Sequence, residues 1–181
     1  MNDYGELLDN NTVRFERLLP GPIERVWAYL TEGDRRAEWL CGGDIETRQG
    51  GHVDMHFHNL SISARSDGDI PRPEKYSDRP EKMSFTGSVT RCEPMSLLEH
   101  TWEFEDENSL VCYELSEEGD KVRLVLTHSR LETTDIVLSV SGGWHTHLNV
   151  LEDVLGATAL RPFYKMQTEL EAEYSERLGL A

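Results

Sequence analysis

Apolar positions along residues 134–156, TDIVLSVSGGWHTHLNVLEDVLG, recur with a helical period. At about 100° per residue, Val137, Val140, Trp144, Leu148, Leu151 and Leu155 fall on one stripe, with Ile136 and Val154 at its edge. Thr146, Asn149, Glu152 and Asp153 fall opposite, where solvent is expected. The pattern predicts one long helix, capped by Thr133 or Thr134 and favoured at its start by the negative charge of Asp135. Gly156 is placed to close it in the left-handed conformation. Gly142 and Gly143 lie inside the pattern. Each costs about 1 kcal/mol against Ala in a helix, so they call for a close backbone approach or a bend.

Upstream the period is two. Thr12–Leu19 is a strand with Val13, Phe15 and Arg17 on one face. Pro20-Gly21-Pro22 ends it. Ile23–Thr31 is a short amphipathic helix on Ile23, Val26, Trp27 and Leu30, and Asp34–Leu40, with Trp39 near its end, is a second. Gly42-Gly43 and Gly50-Gly51 flank a short strand at Asp44–Arg48, paired as a hairpin with His52–Asn59. The latter alternates Val53, Met55 and Phe57 against His52, Asp54, His56 and His58. Residues 60–80, polar and proline-punctuated, form a long loop of the kind that is often mobile or functional. Four strands follow: Lys82–Glu93, Ser96–Glu105, Ser109–Ser116 and Lys121–Ser129. Their inward faces carry Phe85 and Val89, then Leu98, His100 and Trp102, then Val111 and Tyr113, then Val122, Leu124 and Leu126. After Pro162, a charged helix Phe163–Leu178 carries Phe163, Met166, Leu170 and Tyr174 at helical spacing, and packs on the outside of the domain or against another subunit.

This order predicts an α+β, helix-grip fold: a curved antiparallel sheet of about six strands wrapped on a long C-terminal helix. Two short helices follow strand one, and an extra helix ends the chain. Residues 1–11 are expected to be a flexible N-terminus, 12–156 the helix-grip domain, and 157–181 a helical extension of it.

The chain has 181 residues and a net charge of −16. An excess of acid this large disfavours nucleic acid and anionic membrane surfaces as partners. No apolar run reaches the ~20 residues of a membrane helix, and the N-terminus lacks the basic-then-apolar start of a signal peptide. The cysteines are Cys41, Cys92 and Cys112, an odd set without a CxxC, so neither a disulfide framework nor a structural zinc site is expected. A reducing cytoplasm fits.

The segment VRFERLLPGPIERVWAYLTEGDRRAEWL resembles the opening of the SRPBCC (START-like) superfamily. It is most similar to the bacterial branch of homologues of the activator of heat-shock protein ninety ATPase. The shared features are Arg17–Leu19, Pro20–Pro22, Val26-Trp27 and Trp39, then Gly143-Trp144 through Leu148 with Leu151 and Leu155. The resemblance spans roughly residues 12–178 and implies a cavity between sheet and long helix. Superfamily members bind lipids, hormones or polyketides there, and some are cyclases or hydroxylases.

On that basis the candidate ligand-binding residues are Trp27, Trp39, Phe57, Phe85, His100, Trp102, Trp144, His147 and Leu148. They are mostly apolar, with histidines to fix orientation. The plain alternative is that Trp144 and its neighbours are filled core. His52, Asp54, His56 and His58 share a strand face and could converge on zinc, but no further ligand set has matching spacing, so neither metal nor cofactor is assigned. His100 or His147 with Glu99 or Asp54 would make an acid–base pair. Cys41 is a nucleophile only with a lowered pKa. No nucleophile elbow, phosphate loop or dinucleotide fingerprint occurs. The expected partner is a small hydrophobic ligand, with a homodimer or a chaperone-type protein partner as the alternative. A large open cavity favours ligand binding, a filled core with an exposed apolar patch favours protein interaction, and a buried His–carboxylate pair at a cavity wall favours catalysis.

Overall fold

The computed structural model describes residues 3–9, 11–104 and 107–179. Predictions that fall on residues 1, 2, 10, 105, 106, 180 and 181 lie outside it. Its elements, in chain order, are β1 (Glu6–Asp9), β2 (Thr12–Pro20), α1 (Ile23–Thr31), α2 (Gly33–Arg36), β3 (His52–Phe57) and α3 (Asn59–Ser63). Then come β4 (Met83–Glu93), β5 (Leu97–Phe104), β6 (Glu107–Glu118), β7 (Lys121–Ser129), α4 (Thr134–Leu155) and α5 (Phe163–Arg177).

Among the described residues seven strands form one antiparallel sheet in the order β1-β2-β7-β6-β5-β4-β3. The sheet curves around α4, which gives the helix-grip architecture expected from the element order. Period-two burial decides which side is core. On β3, Val53, Met55 and Phe57 are buried while His52 and His56 are exposed, and on β7 Val122, Leu124, Leu126 and His128 point inward.

Two strands differ from the expectation. Segment 6–9, read as frayed, is β1: it hydrogen-bonds β2 through its backbone, with all four side chains exposed, so it carries no alternation to detect. Segment 44–48, read as a strand, is not one. It contributes only an isolated bridge, Ile45 to Val53, beside another from Gly42 to His56.

The second helix is also shorter than expected, because after Arg36 the chain tightens into turns such as Trp39 N–H to Arg36 C=O. The Arg36 side chain is buried and donates to the carbonyls of Leu30, Thr31, Gly42, Gly43 and Asp54, locking this corner.

Helix α4 runs unbroken over the predicted range, and Thr133 caps it by accepting from the Ile136 N–H. Gly156 is not left-handed. That conformation falls one residue later, on Ala157 at φ 52°. The face read as solvent-exposed is covered by α5 and by the segment that leads into it. Thr146, Asn149 and Asp153 are buried there, and each finds a partner: Thr146 Oγ1 donates to Gly142 C=O, Asn149 Nδ2 to Met166 Sδ, and Arg161 reaches Asp153 at 3.0 Å. Paired in this way, polar groups bear burial without the desolvation cost of orphaned ones. Inward-facing Arg17 on β2 is likewise buried, with its Nε 2.8 Å from Glu152 of α4.

The two helix glycines separate cleanly. A Cβ on Gly142 would meet Glu171 Cγ of α5 at 2.8 Å, whereas one on Gly143 would meet nothing within 4 Å. Gly143→Ala is therefore expected to stabilise by about 1 kcal/mol. Gly142→Ala should forfeit that gain by pushing α5 outward. Urea midpoints of the two variants check this: equal stabilisation of both would contradict the close α4–α5 approach.

Candidate functional site

A cleft of about 770 Å³ opens between the sheet and the N-terminal half of α4. Its walls are Met83 and Phe85 of β4, Trp102 of β5, Leu131, and Ile136 and Val140 of α4. Loop residues 78–80 and Lys82 border its mouth, opposite Asp135 and Ser139. The volume falls within the ~300–1,000 Å³ typical of small-molecule sites, and an apolar wall with few polar groups is their usual chemistry.

The polar floor is His128 of β7 with Ser109 of β6. Indole N–H is a donor only, so Trp144 Nε1, 2.9 Å from His128 Nδ1, donates to it. That fixes the neutral tautomer with the proton on Nε2, which donates to Ser109 Oγ at 2.8 Å. Ser109 in turn donates to the Trp102 carbonyl at 3.3 Å. Burial, with a smaller contribution from His100, pushes the His128 pKa down to about 3. Both ring nitrogens are thus occupied and neither faces a carboxylate. Drawing a proton onto His128 would require ejecting the indole.

Of the nine sequence-predicted residues, Phe85 and Trp102 line this cleft. The other seven lie off its wall. Trp144 is directly behind the floor, with its ring edge-on to Trp102 at 5.5 Å. Phe57 packs on Phe85 and Trp102. His100 is buried between Trp102 and Tyr113 and donates to the Thr101 carbonyl. His147 donates from Nδ1 to the Trp39 carbonyl at 2.6 Å, and Trp39 Nε1 donates to Tyr29 C=O at 2.8 Å, tying α4 to the α1–α2 corner. Trp27 and Leu148 are buried core. His128 was within reach of sequence reasoning: it is the next inward step after Val122, Leu124 and Leu126.

The other candidate chemistries also have definite places. His52 contacts Asp54 and His56 contacts Ser84 on the exposed face of β3. Among the described residues no group of three or more His, Cys, Asp or Glu side chains is arranged to hold a metal ion. Cys41 is buried, and burial pushes its thiol up to about 11 against the opposing charge of Arg36, so it is protonated at neutral pH. No helix among the described residues is long and apolar enough to cross a membrane.

The long loop is not free. It contains α3 and a short 3₁₀ turn at Glu74–Tyr76, and it is strapped to α5 at two points. Pro162 leaves α5 without a side-chain cap of its own. Asp69 supplies the cap from the loop, accepting from the N–H groups of Tyr164 and Lys165 as well as from Ser63 Oγ and Ile70 N–H. Burial alone would raise the Asp69 pKa, but these four hydrogen bonds more than offset it and hold the carboxyl below its ordinary value. Farther along, Lys75 and the Tyr76 hydroxyl both bond Glu171. The strap brings residues 78–82 to the cleft. Asp69→Ala is expected to cost about 1–2 kcal/mol, as for loss of a helix cap. It should also speed proteolytic cutting within residues 60–80, and unchanged cleavage there would contradict the strap.

A helix-grip sheet with a cleft under its long helix defines an SRPBCC-type protein. Residues 20–156 match the family model described as Activator of Hsp90 ATPase homolog 1-like protein, and the chain belongs to that family. Among solved structures, a protein from Bordetella parapertussis is similar at 40% identity and a TM-score of 0.78, over 97% of this chain and 91% of that one. CalU16 from Micromonospora echinospora shares the fold at 21% identity and a TM-score of 0.66, over 91% and 86%. A conserved protein of unknown function from Enterococcus faecalis does so at 22% and 0.68, over 98% and 90%. No curated protein matches the chain.

Proposed function

We propose that this protein binds a small hydrophobic or amphipathic ligand in the cleft between the sheet and the N-terminal half of α4, in a cytoplasmic setting. The observation that carries this reading is the cleft itself: about 770 Å³, apolar on Phe85, Trp102, Leu131, Ile136 and Val140, with a hydrogen-bonded His128–Ser109 floor. Ser109 Oγ accepts one hydrogen bond and donates another, which leaves a lone pair for a donor on the ligand. Catalysis by a cavity histidine has less support, because His128 has no free ring nitrogen to serve as a base. A protein-interaction or co-chaperone-like role draws on exposed Leu7 and Leu8 of the edge strand β1, a smaller feature than the cleft.

Native mass spectrometry of the purified protein, followed by denaturing extraction, tests the reading. A stoichiometric adduct that disappears in Val140→Trp, which fills the cleft, is the expected result. A bare protein mass, together with no thermal stabilisation across a library of lipids and aromatics, would overturn it.

A further inference from the structure

Resting on the ligand-binding reading of the cleft, a second, smaller cavity indicates what kind of ligand end it takes. This cavity, about 60 Å³, lies between the loop and α5, and shares Arg79, Pro80 and Met83 with the large cleft as a common wall. It is several times the ~10–15 Å³ that one water needs.

Among the described residues five buried side-chain nitrogen or oxygen atoms lack a hydrogen-bond partner. Three are guanidinium nitrogens of Arg17 and Arg36, which line neither cavity; the Arg17 Nε faces Glu152 as an ion pair at 2.8 Å without hydrogen-bond geometry. The remaining two are acceptors, Asn59 Oδ1 at the start of α3 and Gln167 Oε1 on α5, and both residues line this one cavity. Buried acceptors without donors are costly and rare, so two on a single space call for a donor there, which ordered water supplies in the free protein and a donor group on a ligand supplies when it displaces that water.

The surrounding residues do not supply those donors. Arg72 spends its Nη2 group on the carbonyls of Tyr76 and Arg79, and the Arg79 guanidinium lies over the Tyr76 ring at 5.6 Å. The same two cations disfavour an ammonium group in the cavity, while Glu81 on its lining and the orphaned acceptor oxygens disfavour a carboxylate. A neutral hydroxyl satisfies both conditions. Met83, an unbranched and adaptable side chain, is the part of the common wall able to yield.

We infer that the ligand is an alcohol: an apolar body in the large cleft with a terminal hydroxyl passing the Arg79–Met83 wall to donate to Asn59 and Gln167.

The test compares 1-decanol with decyl methyl ether, which has the same tail and only an acceptor, by displacement of a fluorescent naphthalene sulfonate probe from the cleft. The alcohol is expected to bind about tenfold more tightly, the gain from satisfying buried acceptors. In the double variant Asn59→Leu/Gln167→Met that preference should vanish while the ether's affinity stays unchanged. Gln167→Met alone, at a half-buried site on α5, should reduce the preference in part and guards against misfolding of the double variant. Equal binding of the two compounds to the unmodified protein would overturn the hydroxyl assignment and leave the cleft reading standing, as would a preference that survives both variants. Binding of neither compound and no probe uptake would overturn both.

Discussion

As the pH falls from about 6.5 to about 4, the protein is expected to lose most of its folding free energy, with the loss beginning well above the pH at which its carboxylates protonate. The cause is four buried histidines. Burial pushes the pKa of His100, His145 and His147 down to about 4, and that of His128 to about 3. In the unfolded chain each returns to 6.5. Below 6.5 the unfolded state therefore binds protons that the folded state refuses. The stabilising contribution is fully present above 6.5 and is lost as pH drops toward the folded values. Each histidine contributes a slope of at most about 1.4 kcal/mol per pH unit, so four give up to about 5. Over about one to two pH units below 6.5 that slope removes an amount comparable to a total stability of about 5–15 kcal/mol. Asp69, held low by its hydrogen bonds, adds to the loss at the acid end of this window, as the pH falls through the ordinary carboxyl value of 3.8. Urea unfolding at a series of pH values should show the midpoint falling steeply through this window. His147→Asn should flatten the slope by about one histidine's share. A midpoint constant from about pH 7 to about pH 5 would contradict the buried neutral histidines.

Trp144→Ala is expected to cost about 3–5 kcal/mol, the range for truncating a buried aromatic. Trp144 is 3% exposed, with rings of Trp102, Tyr113 and His128 at 5.5, 6.1 and 6.2 Å. Its removal leaves a void behind the cleft floor and strips the donor from His128 Nδ1. Trp144→Phe isolates the second effect. It keeps a ring, loses the N–H, and should cost about 1–3 kcal/mol for the unpaired acceptor. Ligand binding should weaken in the Phe variant and vanish in the Ala variant, since Trp102 and His128 both lean on this indole. Urea midpoints with an unchanged denaturant slope would measure the loss. A cost below about 1 kcal/mol for the Ala variant would place Trp144 outside the cooperative core.

Much of the fold was legible because burial is one-sided. The stripe Val137 to Leu155 yielded α4 with its correct ends, and strict alternation yielded β3 and β7. Segment 6–9 was missed because a strand held only by backbone pairing leaves no side-chain pattern. Segment 44–48 was misread because paired glycines suggested a hairpin where a single apolar residue, Ile45, could not sustain one. The outer face of α4 looked solvent-bound because Thr146, Asn149 and Asp153 are polar. What covers them, α5 and the connection carrying Arg161, is a contact that no local pattern encodes, though Gly142 hinted at it.

The site divides in the same way. Phe85 and Trp102 were visible as large inward residues. The cleft also depends on loop residues 78–80 and Lys82, which the strap to α5 brings in, and on Ser109 of β6, which strand pairing sets opposite Trp102. Inward direction alone could not separate residues facing the cleft from Trp39 or Leu148, which are packed on all sides.

The most direct test of the cleft as a ligand site is two-dimensional nitrogen–proton NMR of the labelled protein titrated with 1-decanol. Shift changes concentrated at residues 78–85, 102, 109, 128, 131 and 135–140, and at 59 and 167 where the hydroxyl is placed, are the predicted result. Changes confined to β1 or to the exposed face of α5, or no changes at the solubility limit of the probe, would contradict it.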